Sequence, residues 1–148
     1  MSTINREATL ENLLDVLVKK NSLFETNAHF LNTCAQLGFA EKKRLKIKNK
    51  GQQIKSETFV STGLVDYVWM IAFAETKDPF TLDDTDECYK IFEEYANGGF
   101  HIISKEISKH NAKDPSGIET FISFLKRQYE KNGGRDDVTA EPLNMPED

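Results

Sequence analysis

The sequence has few of the residues from which metal, redox and nucleotide sites are built. It contains three histidines and two cysteines, and none of them belongs to a CxxC, HExxH or zinc-ligand pattern. Neither a GxxxxGK(S/T) nor a GxGxxG loop is present, and no apolar run approaches the roughly 18 residues that a membrane span requires. We therefore expect a cytoplasmic protein with no metal, no cofactor, no catalytic residues and no membrane insertion.

Enough apolar side chains are present to build a core. Hydrophobic residues make up 39% of the chain, and ten of them are phenylalanines. Their spacing of three and four residues predicts a mainly α-helical fold of about five helices. The predicted helices cover residues 10–20, 27–39, 63–75, 83–97 and 117–131. We expect one compact helical domain over 1–132 and an acidic disordered tail over 133–148.

Local signals predict how these helices end and pack. Gly38 is expected to end the second helix, and the Asn-Gly-Gly run at 97–99 is expected to stop or bend the chain before helix resumes at 100–110. The helix at 63–75 is apolar over most of its circumference, which predicts a place in the centre of the core. Cys34 and Cys88 lie within apolar periodic segments, as is typical of reduced core cysteines.

Positive charge is concentrated in one short segment of an acidic chain. The formal net charge is −5, yet residues 42–55, the basic segment, carry seven cations and no acid, so the remainder carries −12. An extended chain would place Arg44, Lys46, Lys48 and Lys50 on one side and apolar Leu45 and Ile47 on the other. This alternation predicts a short β-strand near 44–48. Because a lone strand leaves its edges unpaired, pairing across a homodimer axis is one alternative.

The basic segment is the candidate DNA-binding site. Lysine and arginine neutralise phosphates, and glutamine can donate hydrogen bonds to phosphate oxygens or base edges. The candidate residues are Lys42, Lys43, Arg44, Lys46, Lys48, Lys50, Gln52, Gln53 and Lys55. A solvated loop with no binding role is the alternative interpretation of the same charge run.

A second charged cluster has the opposite sign. Asp83, Asp84, Asp86 and Glu87 stand at the start of the fourth predicted helix, where the helix dipole favours acids. The same carboxylates are the candidate partner-binding residues, since they can dock on a basic protein surface. A divalent cation is a further alternative, and a nuclease would need such a metal site.

Three segments of the chain resemble one protein family. They are "LFETNAHFLNTCAQLGF" (23–39), "KKRLKIKNKGQQIKSETF" (42–59) and "IFEEYANGGFHIISKEI" (91–107), and their order and sequence are similar to the small Dnd system-associated proteins numbered fourth in their set. The resemblance covers about residues 10–110, and its most specific element is "IFEEYANGG" at 91–99, here called the signature.

The resemblance implies a functional context and transfers no catalytic residues. Proteins of this kind accompany bacterial DNA phosphorothioation genes and linked phage restriction systems, so phosphorothioation or restriction proteins are the implied partners. We expect a non-enzymatic accessory protein that contacts DNA through the basic segment. The alternative is an adaptor that docks a larger restriction or modification subunit without touching DNA.

Overall fold

The computed structural model describes residues 3–6, 15–20, 24–51, 53–110, 112–114 and 117–131. Within these ranges the α-helices are α1 (Asn27–Ala40), α2 (Ser56–Ser61), α3 (Val65–Thr76), α4 (Thr85–Lys109) and α5 (Ile118–Lys131). The same ranges hold a π-helical segment (Asp15–Lys20), a 3₁₀ helix (Pro79–Asp83) and the strands β1 (Thr3–Ile4) and β2 (Ile54–Lys55). The predicted mainly α-helical class is confirmed. The beginning of the first predicted helix, Gln52 and the predicted acidic tail lie outside the described residues.

The chain divides by its internal contacts into two units, residues 1–105 and residues 106–148. In the N-terminal unit, β1 and β2 form an antiparallel pair with Ile4 opposite Ile54. In the C-terminal unit, Asp114 accepts hydrogen bonds from the amide and the hydroxyl of Thr120 at 2.8 and 2.9 Å, which satisfies a donor in the first turn of α5. The single domain over 1–132 stays a prediction.

Aromatic and sulfur side chains fill the core of the N-terminal unit. Phe59 and Phe92 are fully buried and meet edge to face, with ring centroids 5.4 Å apart. Both cysteines, Cys34 and Cys88, are buried and free, as predicted. Burial raises the pKa of both thiols, and the charges of nearby acids add to the effect at Cys88. Burial and protonation therefore both favour the reduced, unreactive state of these thiols.

Glycines mark helix crossings in this protein, and the predicted helix stops were wrong. Helix α1 continues past Gly38 to Ala40, and α4 runs unbroken through Gly98 and Gly99. A Cβ on Gly38 would lie 2.0 Å from the carbonyl oxygen of Tyr95, and one on Gly99 would lie 1.8 Å from that of Cys34. The two helices therefore approach closely enough for backbone to touch backbone, which only glycine permits.

The third predicted helix is only half buried, so its expected central position was wrong. Helix α3 buries Val68, Ile71 and Ala72, while Met70 and Phe73 are exposed. It ends before Asp78-Pro79 at a left-handed Lys77 with φ of 55°. Helix α2 was not predicted. None of the described helices combines the length and the apolar character that crossing a membrane requires.

Two polar side chains cap helices of the N-terminal unit. Thr26 caps α1, where its hydroxyl accepts a hydrogen bond from the amide of His29 at 3.2 Å. Asp84 accepts one from the amide of Glu87 at 3.1 Å, at the beginning of α4. Part of the acidic cluster therefore serves local helix capping.

Candidate nucleic-acid interface

The basic segment leaves α1 through a sharp turn and then follows the surface of α4. Lys42 adopts a left-handed conformation with φ of 55°, and the amide of Lys43 donates to the carbonyl of Gly38 at 2.8 Å. Residues 43–47 have no regular secondary structure, so the strand expected near 44–48 was wrong, and the strand in this region is β2. The physical reason is that the hydrogen bonds of Leu45 go to α4 and not to another strand.

The predicted two-sided arrangement is nevertheless confirmed between residues 45 and 48. Lys46 and Lys48 are exposed, whereas Leu45 and Ile47 are half buried. Alternate side chains of an extended chain point to opposite sides, so the apolar pair turns toward the protein and the two lysines turn outward. Arg44 departs from the prediction, because its guanidinium reaches back to Glu94. The sequence thus produces a charged face without a β-ladder.

Two polar groups of the signature hold the basic segment by its backbone, through three hydrogen bonds. The amide of Leu45 donates to the carbonyl oxygen of Glu94 at 3.0 Å. The side-chain amide of Asn97 donates to the carbonyls of Leu45 and Lys46, at 3.3 and 3.2 Å. A Cβ on Gly98 would lie 1.9 Å from the carbonyl oxygen of Lys43, so only glycine lets the segment come this close to the helix.

Arg44 connects the segment to two carboxylates. Its Nε donates to Glu94 Oε1 at 2.8 Å, and its Nη1 lies 3.7 Å from Glu75 Oε1 on α3. The guanidinium carbon also stands 5.9 Å from the centroid of the Tyr95 ring, whose hydroxyl donates to Glu75. The side chain of Glu94 is almost fully buried, so the arginine supplies the positive charge that this carboxylate requires.

Tyr95 gives this cluster a measurable pH dependence. Burial, followed by the hydrogen bond to Glu75 and its charge, raises the pKa of Tyr95 from 10.0 to about 12. The folded chain therefore holds the phenol proton more tightly than the unfolded chain does. The resulting contribution to stability is fully present below pH 10 and is lost as the pH rises from 10 to about 12.

Tyr95→Phe is expected to reduce the loss of stability in this pH range. Removing one phenol should make the unfolding free energy fall less steeply with pH, by up to about 1.4 kcal/mol per pH unit. Urea unfolding at several pH values between 9 and 12, followed by tryptophan fluorescence, measures the slope. An unchanged slope would mean that Tyr95 ionises at the same pH in the folded and unfolded chains.

The far end of the basic segment is fastened near β1. Gln53 donates to the side chain of Asn5 at 2.8 Å, and the backbone amide of Asn5 donates to Glu93 at 2.6 Å. Burial raises the pKa of Glu93, whereas the hydrogen bonds from Asn5 and the charge of Lys50 oppose that shift. The positive charge of Lys50 therefore favours the ionised form of the Glu93 carboxylate.

The structure separates the candidate residues into two kinds. The exposed ones are Lys42, Lys46, Lys48, Lys50 and Lys55. Lys43 is half buried, Arg44 is engaged by carboxylates, and Gln53 is exposed but bonded to Asn5. Among the candidate partner-binding acids, Asp83, Asp84 and Asp86 are exposed and Glu87 is half buried. The described residues contain no group of three or more histidines, cysteines and acids that is close enough to hold a metal ion.

Sequence reasoning missed the residues that support this surface. Glu75, Glu94, Tyr95 and Asn97 were not predicted to hold the basic segment, because each reaches a partner that is distant in sequence. No local pattern marked Glu94 and Asn97, because Asn97 lies about 120° around the helix from apolar Ile91, yet both polar side chains are buried. Polar residues on a buried helical face need hydrogen-bond partners, and here the basic segment supplies them.

Comparison with known proteins agrees with the resemblance found in the sequence. A family model described as DNA sulphur modification system-associated protein 4 matches residues 4–141. A search of the curated proteins found no significant match, and a search of the solved structures found none either. The matched range includes the basic segment and the signature that holds it. The chain belongs to the DNA sulphur modification system-associated protein 4 family.

Proposed function

We propose that this protein is a non-enzymatic accessory factor that contacts the DNA backbone through the exposed lysines of the basic segment. The observation that supports the proposal is the arrangement of the segment: its backbone is bonded to the signature while its lysines face outward. Such a surface is ready to meet phosphates without first becoming ordered, which reduces the entropic cost of binding.

The spacing of the lysines suits a polyanion. Alternate residues of an extended chain are about 6.6 Å apart. This distance is close to twice the roughly 3.4 Å axial spacing of phosphates along one DNA strand. Lys46 and Lys48 are such a pair, and Lys42 and Lys50 lie on either side of them in sequence. Arg44 has a different role in the proposal, because its charge is used to anchor the segment to Glu94.

The acidic remainder of the chain restricts how the protein can sit on DNA. With −12 outside the basic segment, other faces repel the phosphate backbone. Contact is therefore confined to one side, and the protein is oriented as it binds. The proposed partners are the proteins of the bacterial DNA phosphorothioation system and of the phage restriction system linked to it. DNA duplexes with and without phosphorothioate linkages are therefore the relevant ligands.

The test is a salt series of fluorescence-anisotropy titrations on matched duplexes. Four lysine–phosphate contacts are expected to give a slope of about −3.6 in a plot of log affinity against log salt concentration. The triple variant Lys42→Glu/Lys46→Glu/Lys48→Glu is expected to abolish binding. A preference for one duplex would identify the protein as a reader of the modification.

A matched control separates this site from the effect of net charge. Lys90, Lys105 and Lys126 are exposed and lie outside the basic segment. Their triple replacement by glutamate changes the net charge by the same amount and is expected to leave most of the affinity. Equal losses in the two variants would contradict the site, and an absence of binding at low salt would contradict DNA contact altogether.

The second candidate function is that of an adaptor that docks another protein of the same system. The exposed carboxylates of Asp83, Asp84 and Asp86 favour it, because they are clustered on the surface at the beginning of α4. A basic protein surface fits these acids. The adaptor becomes the better proposal if the duplexes do not bind.

A further inference from the structure

Exposed apolar side chains are concentrated in one part of the N-terminal unit. In the described part of the chain eight large apolar side chains are exposed, and five of them lie between residues 67 and 82. Tyr67, Met70 and Phe73 follow helical spacing on α3, whose other side is buried in the core. Phe80 and Leu82 belong to the 3₁₀ helix, which packs against α3. These five residues are here called the apolar face.

The exposure of these side chains is large enough to matter. The exposed fraction is 62% for Met70, 46% for Phe73 and 77% for Phe80. Single exposed apolar residues are ordinary, but grouped aromatic and methionine side chains are the composition of protein interfaces.

The charges around the apolar face indicate which charge the surface of the partner carries. Residues 61–87 contain seven acids and one base. Asp66 lies on α3 itself, and Asp78 and Asp83 stand at the two ends of the 3₁₀ helix, all three exposed. An apolar centre with an acidic rim is complementary to an apolar patch rimmed by lysine and arginine.

We infer that the apolar face docks a second protein of the DNA sulphur modification system, one that presents an apolar patch with a basic rim. A second copy of this chain fits less well, because two acidic rims would face each other. DNA fits less well for the same reason. The inference deepens the adaptor candidate by giving it a surface, and it does not depend on DNA binding by the basic segment.

The test measures binding of the full chain to each of the other proteins encoded with the same modification system, purified and titrated one at a time in a calorimeter. Met70→Glu and Phe73→Glu are expected to weaken the complex by about thirtyfold, the effect of losing one central contact. Tyr129→Glu is the control, since Tyr129 is an exposed aromatic residue on α5, and it should leave the affinity within about twofold.

Each outcome decides the matter. A complex that Met70→Glu and Phe73→Glu leave intact would overturn the inference, as would an absence of binding by every protein of the system. Sedimentation of the chain alone tests whether a second copy occupies the apolar face. A dimer that Met70→Glu dissociates would assign the face to that second copy and overturn the inference. Both variants should retain the thermal melting curve, because their side chains are exposed.

Failure of this inference remains distinguishable from failure of DNA contact. The two α3 variants are expected to bind DNA as the unmodified chain does. The triple lysine variant is expected to keep its protein partner. If Met70→Glu and Phe73→Glu weaken the protein complex and leave the DNA affinity unchanged, the result supports the inference directly.

Discussion

Gly99→Ala is expected to lower the free energy of unfolding by about 3 kcal/mol, at the upper end of the usual cost of overpacking. The added Cβ would lie 1.8 Å from the carbonyl oxygen of Cys34 and 2.6 Å from its carbonyl carbon. Both atoms belong to the backbone of α1, so no side chain can rotate away, and the two helices must separate. This cost is expected to outweigh the gain of about 1 kcal/mol that replacing glycine with alanine normally brings in a helix interior.

Urea denaturation followed by circular dichroism measures this cost. Lys105→Ala, an exposed substitution in the same helix, is the control and should change stability by less than about 0.5 kcal/mol. If Gly99→Ala were as stable as the unmodified chain, α1 and α4 would have to be farther apart than the structure shows.

Arg44→Ala is expected to destabilise the protein by about 2 kcal/mol. The loss leaves the nearly buried carboxylate of Glu94 without its cation, and removing one member of a buried pair commonly costs about 3–5 kcal/mol. The arginine side chain is about one third exposed, so water can partly replace it and the expected cost is smaller.

Three further variants identify the cause. Arg44→Ala/Glu94→Gln should recover part of the stability, because the unpaired charge is gone. Arg44→Lys should retain a fraction, since lysine keeps the charge but lacks the planar fork. Arg127→Ala breaks a more exposed pair with Glu106, 3.2 Å apart, and should cost less than about 1 kcal/mol. Equal losses for Arg44→Ala and Arg127→Ala would contradict the role assigned to Arg44.

Local sequence patterns predicted the elements better than the contacts between them. The apolar spacing indicated α1, α3, α4 and α5, because a buried stripe leaves a direct mark on the sequence. The alternation in the basic segment likewise predicted that Lys46 and Lys48 are exposed and that Leu45 and Ile47 turn toward the protein. The predicted strand pairing of this segment was wrong. Nothing in the sequence near Leu45 shows that the hydrogen bonds of Leu45 go to Glu94 and Asn97, about fifty residues later.

The glycines show most clearly where local reasoning ends. A glycine has the same local effect on a helix whether it ends that helix or admits a neighbouring chain. At all three glycines of this kind the second use prevails: the crossing of α1 with α4 explains Gly38 and Gly99, and the approach of the basic segment explains Gly98. The sequence did not predict the exposure of one side of α3, because a helix that is apolar around most of its circumference has the composition of a core helix.

The way in which the basic segment is attached has a consequence for how its surface can change. Leu45 and Lys46 are bound through their main-chain amide and carbonyls, and Gly98 adjoins the carbonyl of Lys43. Every amino acid except proline offers the same main-chain groups. The residues that turn outward can therefore be exchanged with little effect on the course of the chain. Ligand preference and foldability are thus largely separable here, and the segment can serve as a template on which new recognition surfaces are selected or designed.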